Sequence, residues 1–246
     1  MAQNNITENL NAWNKLDRYS KWIYHMYEKY IGKEVLDIGG GVGTAISFYI
    51  DKAERVVATE LFENQVNIMN KRFENYQYFQ AIQADIMKDD FSAYDKFDTI
   101  ILINVLEHIE DDRKALANMK KLLKDSGTII ICVPAMPGLY CYMDKNVGHY
   151  RRYARGELRQ KAKENGLQVI ENTYMNFMGI FPYWFKGKFG KDAGGSFSTS
   201  IEQGESKLYS VATAILEPIE RLFKPHCGIS ESVSYTHLTL PTKRIV

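Results

Sequence analysis

Six residues carry the clearest chemistry in this sequence: Asp37, Gly39, Gly41, Gly43, Glu60 and Asp85. The three glycines follow the apolar run EVLDI (34–38), at a junction where bare backbone lets a ligand approach closely. The dinucleotide fingerprint G-x-G-x-x-G/A requires Gly or Ala at position 44, and Thr44 stands there instead. Asp37, two residues before the first glycine, would repel a pyrophosphate and welcome an ammonium group. Glu60 closes the next run, RVVATE (55–60), where a carboxylate can accept both hydroxyls of a ribose. Asp85 follows a third run and can accept from the exocyclic amine of an adenine. These groups outline a ligand with an adenine, a ribose with free hydroxyls and a cationic amino-acid-like head, and no phosphates.

Such residues work together only if they sit at the carboxyl ends of neighbouring strands, and the hydrophobic rhythm supplies those strands. Strands are expected at 34–38, 55–60, 76–80, 97–103, 128–133 and 167–173, with helices at 44–49, 63–73, 112–123, 155–164 and 208–223. Asp111 or Asp112 can cap the helix from 112, and Gly127 follows its end. Strands alternating with helices imply βαβ units and a parallel sheet covered on both faces. The charge balance, 31 Lys+Arg against 30 Asp+Glu, argues against a dedicated nucleic-acid binder. The three cysteines, Cys132, Cys141 and Cys227, form neither a zinc pattern nor a disulfide framework, so no metal is expected and a reducing compartment is. No apolar stretch is long enough to span a membrane, and the N-terminus lacks the pattern of a signal peptide. A cytoplasmic protein is the expectation.

S-adenosylmethionine has the shape those acids and glycines outline. The segment VLDIGGGVG (35–43) resembles motif I of the class I S-adenosylmethionine-dependent methyltransferases. Glu60, with Leu61 beside it, matches the acidic ribose ligand, and Asp85 and Ile86 match the adenine-side pair. DTIILINVLEHI (98–109) resembles the fourth-strand segment of the small-molecule branch that includes ubiquinone- and menaquinone-biosynthesis-type enzymes. The resemblance runs from about Tyr19 to about Ser230. It implies a Rossmann-like, doubly wound α/β fold with a mostly parallel seven-stranded sheet in the order 3-2-1-4-5-7-6. It also implies that Asn104 and Val105 line the thioether side of the cofactor. The reaction implied is methyl transfer to an oxygen or nitrogen of a small-molecule or lipid-like acceptor. Two other readings stay open: an aminopropyl transferase-like enzyme, and a non-catalytic cofactor-binding subunit of the same fold. A nicotinamide oxidoreductase is disfavoured by Thr44 and Asp37.

The acceptor side is less legible. His149 lies after the fifth strand, where acceptors enter related enzymes, and an imidazole can take a hydroxyl proton near neutral pH. It is the first candidate base and His108, just past the fourth strand, the second; either could instead only order its loop. Tyr140, Arg151 and Arg152 are candidate substrate contacts, the arginines suiting a carboxylate or phosphate. The aromatic segment from Phe177 to Phe185, with Lys186 and Lys188, reads as sheet packing, a lid or a membrane-surface patch.

The expected organisation is a helical segment at 1–33 and a methyltransferase domain at 34–232, with acceptor-side insertions at 134–153 and 177–206. Residues 187–206 read as a loop. Residues 233–246 resemble a translated sequencing-library adapter and read as a non-native tail, leaving the last antiparallel strand truncated or replaced. The apolar/polar alternation of VSYTHLTLPT (233–242) would equally suit a genuine strand.

Overall fold

The computed structural model describes residues 19–190, 217–220, 222–223 and 225–237. After a helix over 19–27 (α1), the elements run β1 (Glu34–Ile38), β2 (Arg55–Glu60), α2 (Glu63–Arg72), β3 (Phe79–Gln83), β4 (Phe97–Ile103) and α3 (Asp112–Leu122). They continue through β5 (Leu123–Pro134), α4 (Tyr142–Asn146), α5 (Glu157–Glu164), β6 (Leu167–Met175), α6 (Ile180–Phe189) and β7 (Ser230–His237). One seven-stranded sheet results, in the order β3-β2-β1-β4-β5-β7-β6, as the resemblance implied. The first five strands pair in parallel, and β7 runs antiparallel to both β5 and β6.

Near-continuous apolar runs form these strands because both faces of the sheet are covered. Along β5, Ile129, Ile131 and Val133 join the core beneath α3 and α5, while Ile130 and Cys132 join the one beneath α1 and α2. β1 divides the same way, with Val35 on one side and Leu36 and Ile38 on the other. Period-2 alternation thus fills two cores from one strand.

The structure corrects several boundaries. The helix expected at 44–49 is two 3₁₀ turns, Ile46–Phe48 and Ile50–Lys52. Ile46, Tyr49 and Ile50 are all buried there, and bulky β-branched and aromatic side chains favour such short turns over an extended helix. The third strand begins at Phe79 rather than Tyr76; the Asn70 side chain bonds both the N–H and the C=O of Ala81 and so pins the register. α5 starts at Glu157, after Gly156 in a left-handed conformation (φ 80°). Residues 187–189, expected in a loop, belong to α6. Residues 1–18, 191–216 and 238–246 lie outside the described residues, with most of the expected loop at 187–206 and the start of the last helix.

Residues 233–237, set apart in the sequence as an appendage, are continuous with 230–232 in β7. Val233 and Tyr235 face the core with no exposure, and Ser232 and Ser234 face the other way. Backbone ladders on both edges hold the strand, pairing Val233 with Ile131 and with Asn172. The Tyr235 hydroxyl is buried with no hydrogen-bond partner. Ending the chain after Ser232 should therefore lower the unfolding midpoint sharply in a thermal melt, since each buried apolar side chain contributes about 1.5–3 kcal/mol. Tyr235→Phe should leave stability unchanged or raise it by about 1 kcal/mol in the same measurement, because it deletes only the unpaired hydroxyl.

Candidate active site

The carboxyl ends of β1 and β4 open onto a cavity of about 520 Å³. Gly39, Gly40 and Gly41 form one end, with Asp37 and Asn104 beside them. The amides of Gly39 and Gly40 both donate to the Thr59 carbonyl, fastening the turn to β2. Gly39 (φ 70°) also lies against Val105, where an added Cβ would come within 2.5 Å of the valine methyl. Gly41 (φ 58°) instead faces open space, with nothing within 4 Å of a Cβ position. Packing therefore demands the first glycine, whereas the second leaves free the backbone surface that a ligand can approach.

Asp37 is buried at the strand end and accepts a 2.5 Å hydrogen bond from the Tyr49 hydroxyl. Burial lifts its carboxyl to about 7, the Tyr49 bond opposing and the nearby Glu60 charge adding to the rise. An arriving cation would relieve this cost. The Glu60 oxygens accept from the amides of Gly41 (3.0 Å) and Leu61 (2.7 Å), so Glu60 adjoins the cavity through the glycine turn. The Leu61 side chain is exposed. Asp85 accepts from the Met87 amide and pairs with Lys88 at 3.0 Å. Burial raises its carboxyl, but those two partners outweigh it and hold the group below the usual carboxylate range. Ile86 is buried in the core, and Gly43 packs on Phe73.

The far end of the cavity is polar and held by one carboxylate. Asp144 of α4 is buried and accepts from His149 Nδ1 (3.0 Å), Arg152 Nε (2.8 Å), the Tyr183 hydroxyl (3.1 Å) and the Cys141 amide (3.0 Å). Burial alone would raise its carboxyl, yet His149 and Arg152 bring it down to about 2. The Arg152 guanidinium also lies 4.3 Å from the centre of the Tyr183 ring. His149 presents Nε2 on the side away from Asp144, 3.8 Å from a Glu107 oxygen, and its ring meets His108 edge-on at 4.7 Å. Burial, followed by His149, lowers the His108 imidazole, while a hydrogen bond with the Gly148 backbone acts the other way. Ile23, Tyr27, Met143, Tyr183 and Ile229 supply the apolar wall between the two ends.

Asp37, Gly39, Gly41, Asn104, His149 and Arg152 thus share one cavity, with His108 against His149. Gly43, Glu60, Leu61, Asp85, Ile86, Val105, Tyr140 and Arg151 are not on its wall. Tyr140 donates to the His149 carbonyl, and Arg151 bonds the Glu110 carbonyl and the buried Asp112. Asp112 also holds Lys161 and the Tyr153 hydroxyl, so Arg151 braces the loop against α3 and α5. Two acidic cavity residues escaped sequence reasoning, Glu107 and Asp144. Both have adjacent signals, in LEH (106–108) and DKNVGH (144–149), but nothing in those strings says which acid is buried. Glu107 is fully buried, and burial pushes its carboxyl up to about 8, its own backbone amide and then Arg152 opposing and Asp144 adding.

A methyltransferase-domain family profile matches residues 14–172, more than half of the chain. The chain is 27% identical over 106 residues to a demethylmenaquinone methyltransferase from Clavibacter sepedonicus, covering 43% of each protein. It is 22% identical over 162 residues to a ubiquinone biosynthesis O-methyltransferase from Coxiella burnetii, covering 59% of this chain and 68% of that one. The chain thus spans less than half of the first relative's length and about two thirds of the second's. Its fold is similar to that of a putative methyltransferase from Bacillus halodurans, with a TM-score of 0.61, 17% identity, and 89% of this chain and 99% of that one covered. With the profile spanning the strand ends that build the glycine end of the cavity, the chain belongs to the methyltransferase-domain family.

Proposed function

We propose that this enzyme transfers the methyl group of S-adenosylmethionine to an oxygen or nitrogen of a small-molecule or lipid-like acceptor. The observation that carries this reading is the cavity itself, which joins the glycine turn and Asp37 to a walled-off polar end bearing His149 and Arg152. Asp37 takes the ammonium of the donor, the open backbone of Gly41 makes room for it beside Gly39, and Gly43 holds the turn against Phe73. Glu60 takes the ribose hydroxyls in exchange for its bond to the Gly41 amide, with Leu61 alongside. Asp85 and Ile86 border the adenine, and Asn104 and Val105 border the sulfur.

At the other end the acceptor's nucleophile lies near His149 and His108, the two groups assigned to its activation. Arg152 faces the acceptor, while Tyr140 and Arg151 keep the loop that carries these residues in place. The nucleophile attacks the methyl carbon in line with the departing sulfur, which leaves with the electron pair of the broken C–S bond. Because a sulfonium is already a good leaving group, alignment and exclusion of water are the main tasks of the protein.

The exposed aromatic face of α6 favours a lipid-like acceptor. Phe181, Phe185 and Phe189 are all more than half exposed, and Lys188 sits over the Trp184 ring. No helix among the described residues is long and apolar enough to cross a membrane, so any such contact is with a membrane surface. Its three cysteines, none of them in a disulfide, fit a cytoplasmic enzyme.

Calorimetry with S-adenosylmethionine tests the donor half. Donor affinity should hold above pH 7 and fall by up to about tenfold per unit below it, as Asp37 (carboxyl near 7) takes up the proton that the ammonium must displace. Asp37→Asn should bind more weakly and lose this pH dependence. Absence of heat at millimolar donor would instead point to a non-catalytic or aminopropyl-transferring protein. The acceptor half is tested with methyl-labelled donor and fractionated metabolites, where mass spectrometry should find one class of small or lipid-like molecule carrying the label. His149→Ala should lose that labelling while keeping donor binding.

A further inference from the structure

We infer that Glu107, His108 and His149 bind a divalent transition-metal ion at the acceptor end of the cavity, where the ion ligates an acceptor hydroxyl. The inference rests on the proposed methyl transfer and deepens it by naming the nucleophile as oxygen.

The first observation is a buried carboxyl group that no other residue engages. Glu107 is completely buried, and no other residue offers its carboxyl oxygens a hydrogen bond. Burying a carboxylate without partners is strongly unfavourable. The nearest imidazole nitrogen, His149 Nε2, is 3.8 Å away, too far for a hydrogen bond. Glu107 nevertheless borders the cavity.

The second observation is geometric. One ligand atom from each of Glu107, His108 and His149 lies within 4.8 Å of the others. Metal bonds of about 2.0–2.2 Å to nitrogen and oxygen place opposed ligand atoms about 4 Å apart, so a small inward movement closes the set. The third concerns what lies behind the ligands. His149 Nδ1 faces the ionised Asp144, which fixes the proton on Nδ1 and leaves the Nε2 lone pair directed at the cluster. Asp144 is in turn held by Arg152 and Tyr183. A carboxylate behind a ligating imidazole is the usual way a protein orients and strengthens such a ligand.

Two imidazoles and one carboxylate suit first-row transition ions better than magnesium or calcium, which favour all-oxygen shells. Three protein ligands also leave coordination positions open for an acceptor oxygen. There the ion would lower the hydroxyl pKa so that its proton passes to solvent. The resulting oxyanion forms the new O–CH₃ bond as the C–S bond breaks and sulfur keeps the electron pair, giving S-adenosylhomocysteine.

The test uses the full chain, stripped with a chelator and titrated with Co²⁺. We expect one equivalent to bind with visible d–d absorption. Glu107→Gln and His108→Asn should each weaken binding by about tenfold or more. Both variants should keep the calorimetric heat of S-adenosylmethionine binding, which shows that they are folded. Failure of Co²⁺ to bind below millimolar concentration, or equal affinity in Glu107→Gln, would overturn the site. Cobalt binding without any donor heat would uphold the site and overturn the methyltransferase reading of the cavity.

Discussion

The acceptor half of this protein depends on one buried carboxylate. Asp144 sits on a five-residue helix too short to be stable on its own, in a stretch where the regular βα alternation has ended. Its four hydrogen bonds tie α4 to the Arg152 loop, to α6 through Tyr183, and to His149. Ionised and fully engaged, it converts a tyrosine-rich connection into a fixed wall. Remove the charge, and Arg152 is left buried without its partner while His149 is free to turn. The donor half needs no such anchor, because β1, β2 and β4 already hold its turn from below.

This difference explains what could be read from the sequence. The donor end was legible because local chain direction determines it: a strand, a glycine turn and an acid closing the next strand are each visible within a few residues. Sheet order followed from the same alternation together with the family resemblance. The acceptor end was not legible, because its partners come from distant segments. Arg151 and Arg152 are adjacent and look alike in the sequence, yet one braces Asp112 and the other faces the cavity. Which of the two does which is set by how the loop lies across α3 and α4, and a string of basic residues carries no record of that. Glu107 illustrates the same limit. In LEH, the histidine draws attention, but the glutamate is the residue sealed inside.

Boundary errors also have physical causes. The 44–49 segment has helical-looking spacing, but its bulky side chains are packed so tightly under the sheet that only single turns form. The third strand carries a run of alternating aromatic and polar residues that would fit at either of two offsets, and a side chain from α2 makes the choice. In both places a tertiary contact outranks the local preference.

β7 has one more consequence. Its place in the sheet is held by main-chain bonds on two sides and by side chains, Glu231 accepting from Asn172 and the Tyr174 hydroxyl and Thr236 donating to the Gly127 carbonyl. The gap between β5 and β6 is thus filled last in chain order, joining two strands already laid down. Among the described residues, strand β6 has no other partner in the sheet, so its attachment depends on residues 230–237. The donor site, at the carboxyl ends of strands laid down far earlier in the chain, shares none of those bonds.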